Sequence, residues 1–326
     1  MASLLATQQR RIGLILALAT AAAISAEIFL RMAWGLGHPL LVRADPEVGY
    51  YFKAGQDITR FGNRVMINQY HQRNPDIAFT NDGRTWRVLM VGDSVTFGGT
   101  LLDQSETIPE LLQSRIQESR PLQILNASAG SWGLGNALAY LEKFGTFESQ
   151  LVILQIGSHD LLQAKSDSSS VGRHPSKPDR MPWCALSELV GRYLWPRLHP
   201  PPVPVKAREL AKEDQERLFN LNMADLKKIL RLAGAAHAEI LVLHTPDRDE
   251  VVPDPHGAVE RWCESYRERF LGLCAENGVE AINLPARWQR QPETAAWFRD
   301  GVHLTARGNE EVARCLAEKL NALSMP

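Results

Sequence analysis

Five short apolar runs, each followed by a loop and a helical pattern, constrain this chain more than any other feature. They lie at residues 88–91, 122–125, 151–156, 240–243 and 279–284. The third is apolar except for Gln155, as expected of a strand buried on both faces. Between the runs, Ile108, Leu111, Leu112 and Ile116 recur at helical spacing, opened by Thr107 and Pro109. Leu218, Leu226, Ile229 and Leu230 mark a helix closing near Gly234. Val259, Trp262, Cys263, Tyr266, Phe270 and Leu273 share one helical face that Gly278 ends, and Val312, Leu316 and Leu320 belong to a last helix. Strands alternating with helices imply a five-stranded parallel sheet covered on both faces. Sites in such sheets form beyond the carboxyl ends of the strands. Ser94, residues 126–131 and residues 157–160 would then share one rim.

The N-terminus obeys a different rule. Residues 12–30 hold no Lys or Arg and one acidic residue, Glu27. As a helix this run is about 28 Å long, close to a bilayer core. Arg10 and Arg11 precede it, which keeps the N-terminus in the cytoplasm and exports the rest. Small residues at 21–26 offer cleavage sites for a signal peptide. The apolar run continues past them through Ile28, Phe29 and Leu30, which favours a retained single-pass anchor. The expected location is the cytoplasmic (inner) membrane, with the rest of the chain facing the periplasm or exterior. Secretion after cleavage is the alternative.

Three domains follow: an anchor at 1–36, a small β-rich segment at 37–85 and the main α/β domain at 86–326. Residues 166–205 break the alternation with a Pro-rich insertion that includes Pro200, Pro201 and Pro202. Such a loop is a lid or a mobile surface insertion. Charge is balanced, with 36 Lys and Arg against 37 Asp and Glu, so no nucleic-acid surface is expected. The cysteines, Cys184, Cys263, Cys274 and Cys315, form no CxxC pair, and a zinc site of usual spacing is not expected.

Two motifs carry chemistry. In Gly92-Asp93-Ser94-Val95-Thr96, a Ser directly after a buried strand stands exposed at the sheet rim. Its hydroxyl is a weak nucleophile and needs a base. Thr96 stands where a G-x-S-x-G elbow would have its second Gly. In Asp300-Gly301-Val302-His303, a neutral imidazole suits general-base work, and a carboxylate can fix its tautomer. His244 and Asp247 follow the fourth strand and could contact substrate, as could Asp93 and Asp160. No metal and no cofactor are expected.

Together these blocks resemble the SGNH, or GDSL, hydrolase family in a membrane-anchored bacterial form. The resemblance covers roughly residues 88–320 and implies a flavodoxin-like three-layer α/β/α sandwich that hydrolyses or transfers acyl groups. It makes Ser94 the nucleophile and Asp300 and His303 the rest of a triad. In the second block, Asn126-Ala127-Ser128-Ala129-Gly130-Ser131, the family supplies an oxyanion-hole N–H. The Gly lies one place early, so Gly130 or Ser131 would donate, along with the Ser94 N–H. The third block reads Gly157-Ser158-His159-Asp160 where the family has Gly-x-Asn-Asp. His159 would there replace the Asn as oxyanion donor.

The expected function is a serine esterase acting on acylated carbohydrate outside the membrane. O-acyl transfer to an exported polysaccharide is an alternative. A non-catalytic polysaccharide-assembly protein that retains the fold is another.

Overall fold

A computed structural model describes residues 2–116, 121–200, 207–254, 256, 258–289 and 291–322. Four strands form two hairpins ahead of the main sheet: β1 (Val42–Asp45) with β2 (Gly49–Phe52), and β3 (Gln56–Arg60) with β4 (Asn63–Ile67). The second hairpin turns through Phe61 and Gly62 alone, both with positive φ, the backbone a two-residue turn needs to match strand twist. The main sheet holds β5 (Trp86–Gly92), β6 (Leu122–Ser128), β7 (Leu151–Gly157), β8 (Glu239–Thr245) and β9 (Glu280–Asn283). All neighbours are parallel, in the order β6-β5-β7-β8-β9.

This is the flavodoxin-like order, and its crevice opens where the winding reverses, beyond the end of β5. Every residue of β5 and β7 is buried. Alternate side chains of β5 feed two cores. Val88 and Met90 pack with Leu112, Val312 and Leu316 of the helices Ile108–Arg115 and Ala306–Ala322. Leu89 and Val91 pack with Leu138, Leu226 and Phe270 of the helices Leu134–Phe144, Lys212–Ala235 and Glu264–Glu276. The result is a three-layer α/β/α sandwich.

The helical pattern of residues 259–273 overreached at its start. That helix begins at Glu264, and Val259 and Trp262 lie in the loop before it. The hairpins are more than a link. Val42, Tyr50, Phe52, Val65 and Ile67 share the core of Leu89 and Val91. All four cysteines are free thiols, three of them buried; Cys274 and Cys315 pack in the two cores, and Cys263 donates to Glu250 Oε1 at 2.6 Å.

The N-terminal helix Ala2–Trp34 is the one candidate span among the described residues. Its stretch Thr7–Trp34 has a mean hydropathy of 2.1 and is long and apolar enough to cross a membrane. Its side chains are exposed all round, unlike those of a core helix. Only its last turns meet the rest of the chain. The Glu27 carboxylate accepts the N–H groups of Ala185 (2.8 Å) and Leu186 (2.9 Å), so it caps a short helix of the insertion. Leu30 and Leu36 bury against Ala185. One turn on, Glu188 pairs with Arg60 at 2.6 Å, both side chains at most 2% exposed, and accepts the Gly37 N–H. This part of the Pro-rich insertion is therefore pinned. Its residues 201–205, with Pro201 and Pro202, lie outside the described residues.

Candidate active site

Ser94 opens a one-turn helix, Ser94–Phe97, directly at the end of β5. Asp93 caps it by accepting the Val95 N–H at 2.7 Å. The Ser94 N–H is among the first-turn donors that the helix itself cannot use. Gly92 makes the turn possible: a Cβ there would run into Gln155 and Thr96. Gln155, the one polar residue of its apolar run, has a specific task. Its Oε1 accepts the Asp93 N–H (3.1 Å) and the Thr96 hydroxyl (3.0 Å), and its amide donates to Thr245 Oγ1 (3.0 Å). It ties the Ser94 turn to two strands. The far end of the turn is held by Arg73, whose buried guanidinium donates to the carbonyls of Phe97, Gly99 and Leu102. Burial pulls the Arg73 pKa down to about 10, which still leaves it charged at neutral pH.

His303 reaches Ser94 from the other end of the chain. Its Nε2 lies 2.9 Å from Ser94 Oγ, and its Nδ1 lies 2.8 Å from Asp300 Oδ2. The carrying loop is closed by a bridge between Phe298 and Leu304 and by the bond from the Arg299 N–H to the His303 carbonyl. Asp300 Oδ1 accepts the N–H groups of Val302 (2.9 Å) and His303 (2.8 Å). Burial pushes the Asp300 carboxyl up, but these N–H groups and the imidazole outweigh it and hold it below the ordinary value. Asp300 remains half exposed.

Gly130 and Ser131 line the same cleft as Ser94. Ser131 has φ of 59°, a left-handed backbone that turns the chain sharply there. The Gly130 carbonyl is held by the Tyr50 hydroxyl, and the Ser131 carbonyl accepts from Gln163 Nε2 (3.0 Å). Both carbonyls are thus fixed by side chains.

His159 does not take the place expected of it. Its Nδ1 lies 2.8 Å from Asp247 Oδ1, and its Nε2 lies 3.0 Å from Asp93 Oδ2 and 3.5 Å from Asp160 Oδ1. With both ring nitrogens facing carboxylates, no N–H is left for an oxyanion. Burial alone would lower its pKa, but Asp160, Asp247 and Asp93 raise it well above the ordinary value. The ring is an imidazolium clamped among three acids. Gly157 is needed beneath it, because a Cβ there would strike the ring. Asp160 is pushed up, chiefly by burial, and its Oδ1 has no hydrogen-bond partner among the described residues. Asp93, His159 and Asp160 could converge on a cation, but the protonated ring already supplies positive charge there.

The residues expected to touch substrate are corrected by the same geometry. Asp93 and Asp160 are buried in the His159 cluster. His244 is fully buried, its Nδ1 bonded to the Ile156 carbonyl at 2.9 Å, and burial pulls its pKa down to about 3. It is a neutral core histidine. Asp247 is the exception, since it lines a cleft.

Two clefts meet at Ser131. The smaller, about 230 Å³, holds Ser94 and is walled by Tyr50 and Phe52 of β2 and by Lys177, Arg192 and Tyr193 of the insertion. The larger, about 670 Å³, runs past Gly301 and Val302 of the His303 loop, with Gln163, Arg208, Asp249 and Trp262. Arg73 and the insertion's cleft residues had not stood out in the sequence. Only the break in alternation at 166–205 pointed toward the last of these.

The model of the GDSL-like lipase/acylhydrolase family matches residues 90–311. The chain belongs to this family. It is accordingly an ester-hydrolysing serine hydrolase, a GDSL enzyme with the fold described above. Solved structures similar to this GDSL chain include TesA, at 19% identity over 73% of this chain and 99% of that one, with a TM-score of 0.45. A catalytic mutant of Axe2, an acetylxylan esterase from Geobacillus stearothermophilus, shares 15% identity over 71% of this chain and 92% of that one, with a TM-score of 0.46. A GDSL-like lipase from Bacteroides thetaiotaomicron shares 11% identity over 75% and 93%, with a TM-score of 0.41. No curated protein matches the sequence.

Proposed function

We propose that Ser94 is the nucleophile of an esterase held at the outer face of a membrane by its N-terminal helix, acting on acyl esters of carbohydrate. The observation that carries this reading is the unbroken chain Ser94 Oγ, His303 Nε2, His303 Nδ1, Asp300, at 2.9 Å and 2.8 Å. Asp300 holds the ring with Nε2 free to accept a proton. Ser94 Oγ attacks the ester carbonyl as its proton passes to His303. The N–H groups of Ser94 and of Gly130 or Ser131 donate to the oxyanion. The alcohol leaves with the His303 proton, and water, deprotonated by His303, releases the acyl group and restores Ser94.

The two clefts suit the two halves of such a substrate. The small one at Ser94 has room for a short acyl group. The larger one joins apolar side chains such as Leu162, Leu210 and Trp262 to the polar groups of Gln163, Arg208 and Asp247. An aromatic side chain beside a few polar side chains fits a sugar. The room in this cleft also favours a second reading, in which a sugar hydroxyl replaces water and the acyl group is transferred. Packing of Leu30 and Leu36 against the insertion supports a retained anchor over a cleaved signal. Arg10 and Arg11 support an outward-facing enzyme.

The test is hydrolysis of p-nitrophenyl acetate by the full chain, with and without an oligosaccharide acceptor. Turnover that disappears in Ser94→Ala is expected. Equal turnover in Ser94→Ala contradicts the proposal. New acetylated oligosaccharide would select transfer over hydrolysis.

A further inference from the structure

The insertion carries an apolar face that the enzyme leaves bare. Its helical run comprises Ala185–Glu188, a wide turn at Leu189–Leu194, and Trp195–Leu198. One side faces the protein. Ala185 and Glu188 are buried, and Arg192 and Tyr193 wall the Ser94 cleft. The other side exposes Val190, Leu194 and Leu198, spaced four apart, together with Trp195. Just before the run, Trp183 is 100% exposed and Met181 is exposed too. Burying such side chains is worth about 1.5–3 kcal/mol each, so a bare cluster of them marks a surface meant to be covered.

The end of the N-terminal helix says what covers it. The run's first N–H groups are bonded to Glu27, which lies three residues inside the end of the apolar stretch 12–30. Glu27 is also about 10 Å along the helix axis before Trp34. The start of the insertion helix is therefore level with the last turns of the span. A lone carboxylate at that depth would be costly. Here it is satisfied by two backbone N–H groups and by Arg31 at 2.6 Å. Exposed Arg180 and Arg197 flank the apolar face, as cations do where a helix meets anionic headgroups.

We propose that residues 181–198, whose helical run starts at Ala185, lie in the surface of the bilayer that the N-terminal helix crosses. This rests on the retained-anchor reading above. Because Arg192 and Tyr193 stand on the protein-facing side of the same helix, the Ser94 cleft lies about one helix diameter, roughly 10 Å, from that bilayer. An ester at the membrane surface then has a short path to Ser94.

The test uses the full chain in vesicles of phosphatidylcholine and phosphatidylglycerol, in a Cys184→Ser background. Leu194→Cys and Leu198→Cys are each labelled with an NBD fluorophore, and lipids carrying doxyl quenchers are added. Leu16→Cys reports the span, and Arg84→Cys reports the opposite end of the sheet. Quenching of at least about two-fold at Leu194 and Leu198, and none at Arg84, is expected for side chains immersed in the interface. Quenching at Leu16 without quenching at Leu194 and Leu198 overturns the interfacial helix and leaves the anchor standing. No quenching at Leu16 overturns the anchor itself, and the inference with it. A blue-shifted but unquenched label at Leu198 means that a second copy covers the face, which also overturns it.

Discussion

Replacing His159 with Gln removes the one cation among Asp93, Asp160 and Asp247 while keeping a side chain of similar reach. At separations of 2.8 and 3.0 Å, the pairs with Asp247 and Asp93 are each worth roughly 6 kcal/mol of gross attraction at an effective dielectric of about 20, while Asp160, its pKa raised to about 8, adds little charge at pH 7. Desolvation cancels much of that, and the His159 side chain is 24% exposed. Removing one partner of a buried pair nonetheless costs about 3–5 kcal/mol, because the others are left uncompensated. For a domain of this size, the loss corresponds to a fall in Tm of about 6–20 °C. Thermal unfolding of the full chain in detergent at pH 7, followed by circular dichroism, measures it.

The sign of the pH dependence is fixed as well. A histidine whose folded pKa is raised gives its full stabilisation below its unfolded pKa, about 6.5, and loses it as pH rises through the folded value. Asp160, also raised, acts in the same direction. His71, His174 and His244, lowered chiefly by burial, act in the opposite direction but finish titrating in the unfolded chain by about pH 7.5. Between pH 7.5 and 8.5 the wild type should therefore lose about 1.4 kcal/mol per proton. A Tm within 2 °C of wild type for His159→Gln, roughly half a kcal/mol to one kcal/mol, refutes the clamped imidazolium. So does a wild-type Tm that rises across that window.

Other expectations follow from the same geometry. Asp300→Asn should lower kcat by about 100-fold with little change in KM, the low end for such a group, because water can reach the half-exposed loop. A steady-state comparison on a soluble ester reads the split, and a loss confined to KM would contradict it. Gly92→Ala should cost about 1–3 kcal/mol, since its methyl overlaps Gln155 and Thr96, and should lower kcat by displacing Ser94. A variant with wild-type Tm and kcat would show that the turn has slack. Arg60→Met should cost less than the about 3–5 kcal/mol of a fully stranded charge, because Glu188 keeps Arg192 at 3.0 Å and the Gly37 N–H, and Arg60→Met with Glu188→Met should recover part of the loss. Equal losses in the single and double variants would argue against a stranded charge.

The parts of the site legible in the sequence were those that lie in contiguous motifs. Ser94 beside Gly92, and Asp300 three residues before His303, are set by local backbone, and the strand-helix alternation fixes which rim they share. Gln155 was visible as an anomaly, a polar residue in an apolar run, although its partners were not. What escaped depends on contacts between distant segments. His159 was recognisable as a departure from the family pattern, but its environment comes partly from Asp247, 88 residues away. That carboxylate turns an expected donor into a clamped cation. Glu27 looked like a blemish in an apolar run, and its partners lie 158 and 159 residues downstream. Helix periodicity misled at Trp262, which keeps the spacing of the following helix yet turns away to line the larger cleft.

The most direct test of the central claim is labelling of the full chain with a fluorophosphonate probe, followed by peptide mass analysis. A single adduct on Ser94, abolished in His303→Ala, is the expected result. An active enzyme that leaves Ser94 unlabelled, or one labelled as fast in His303→Ala as in wild type, would contradict it.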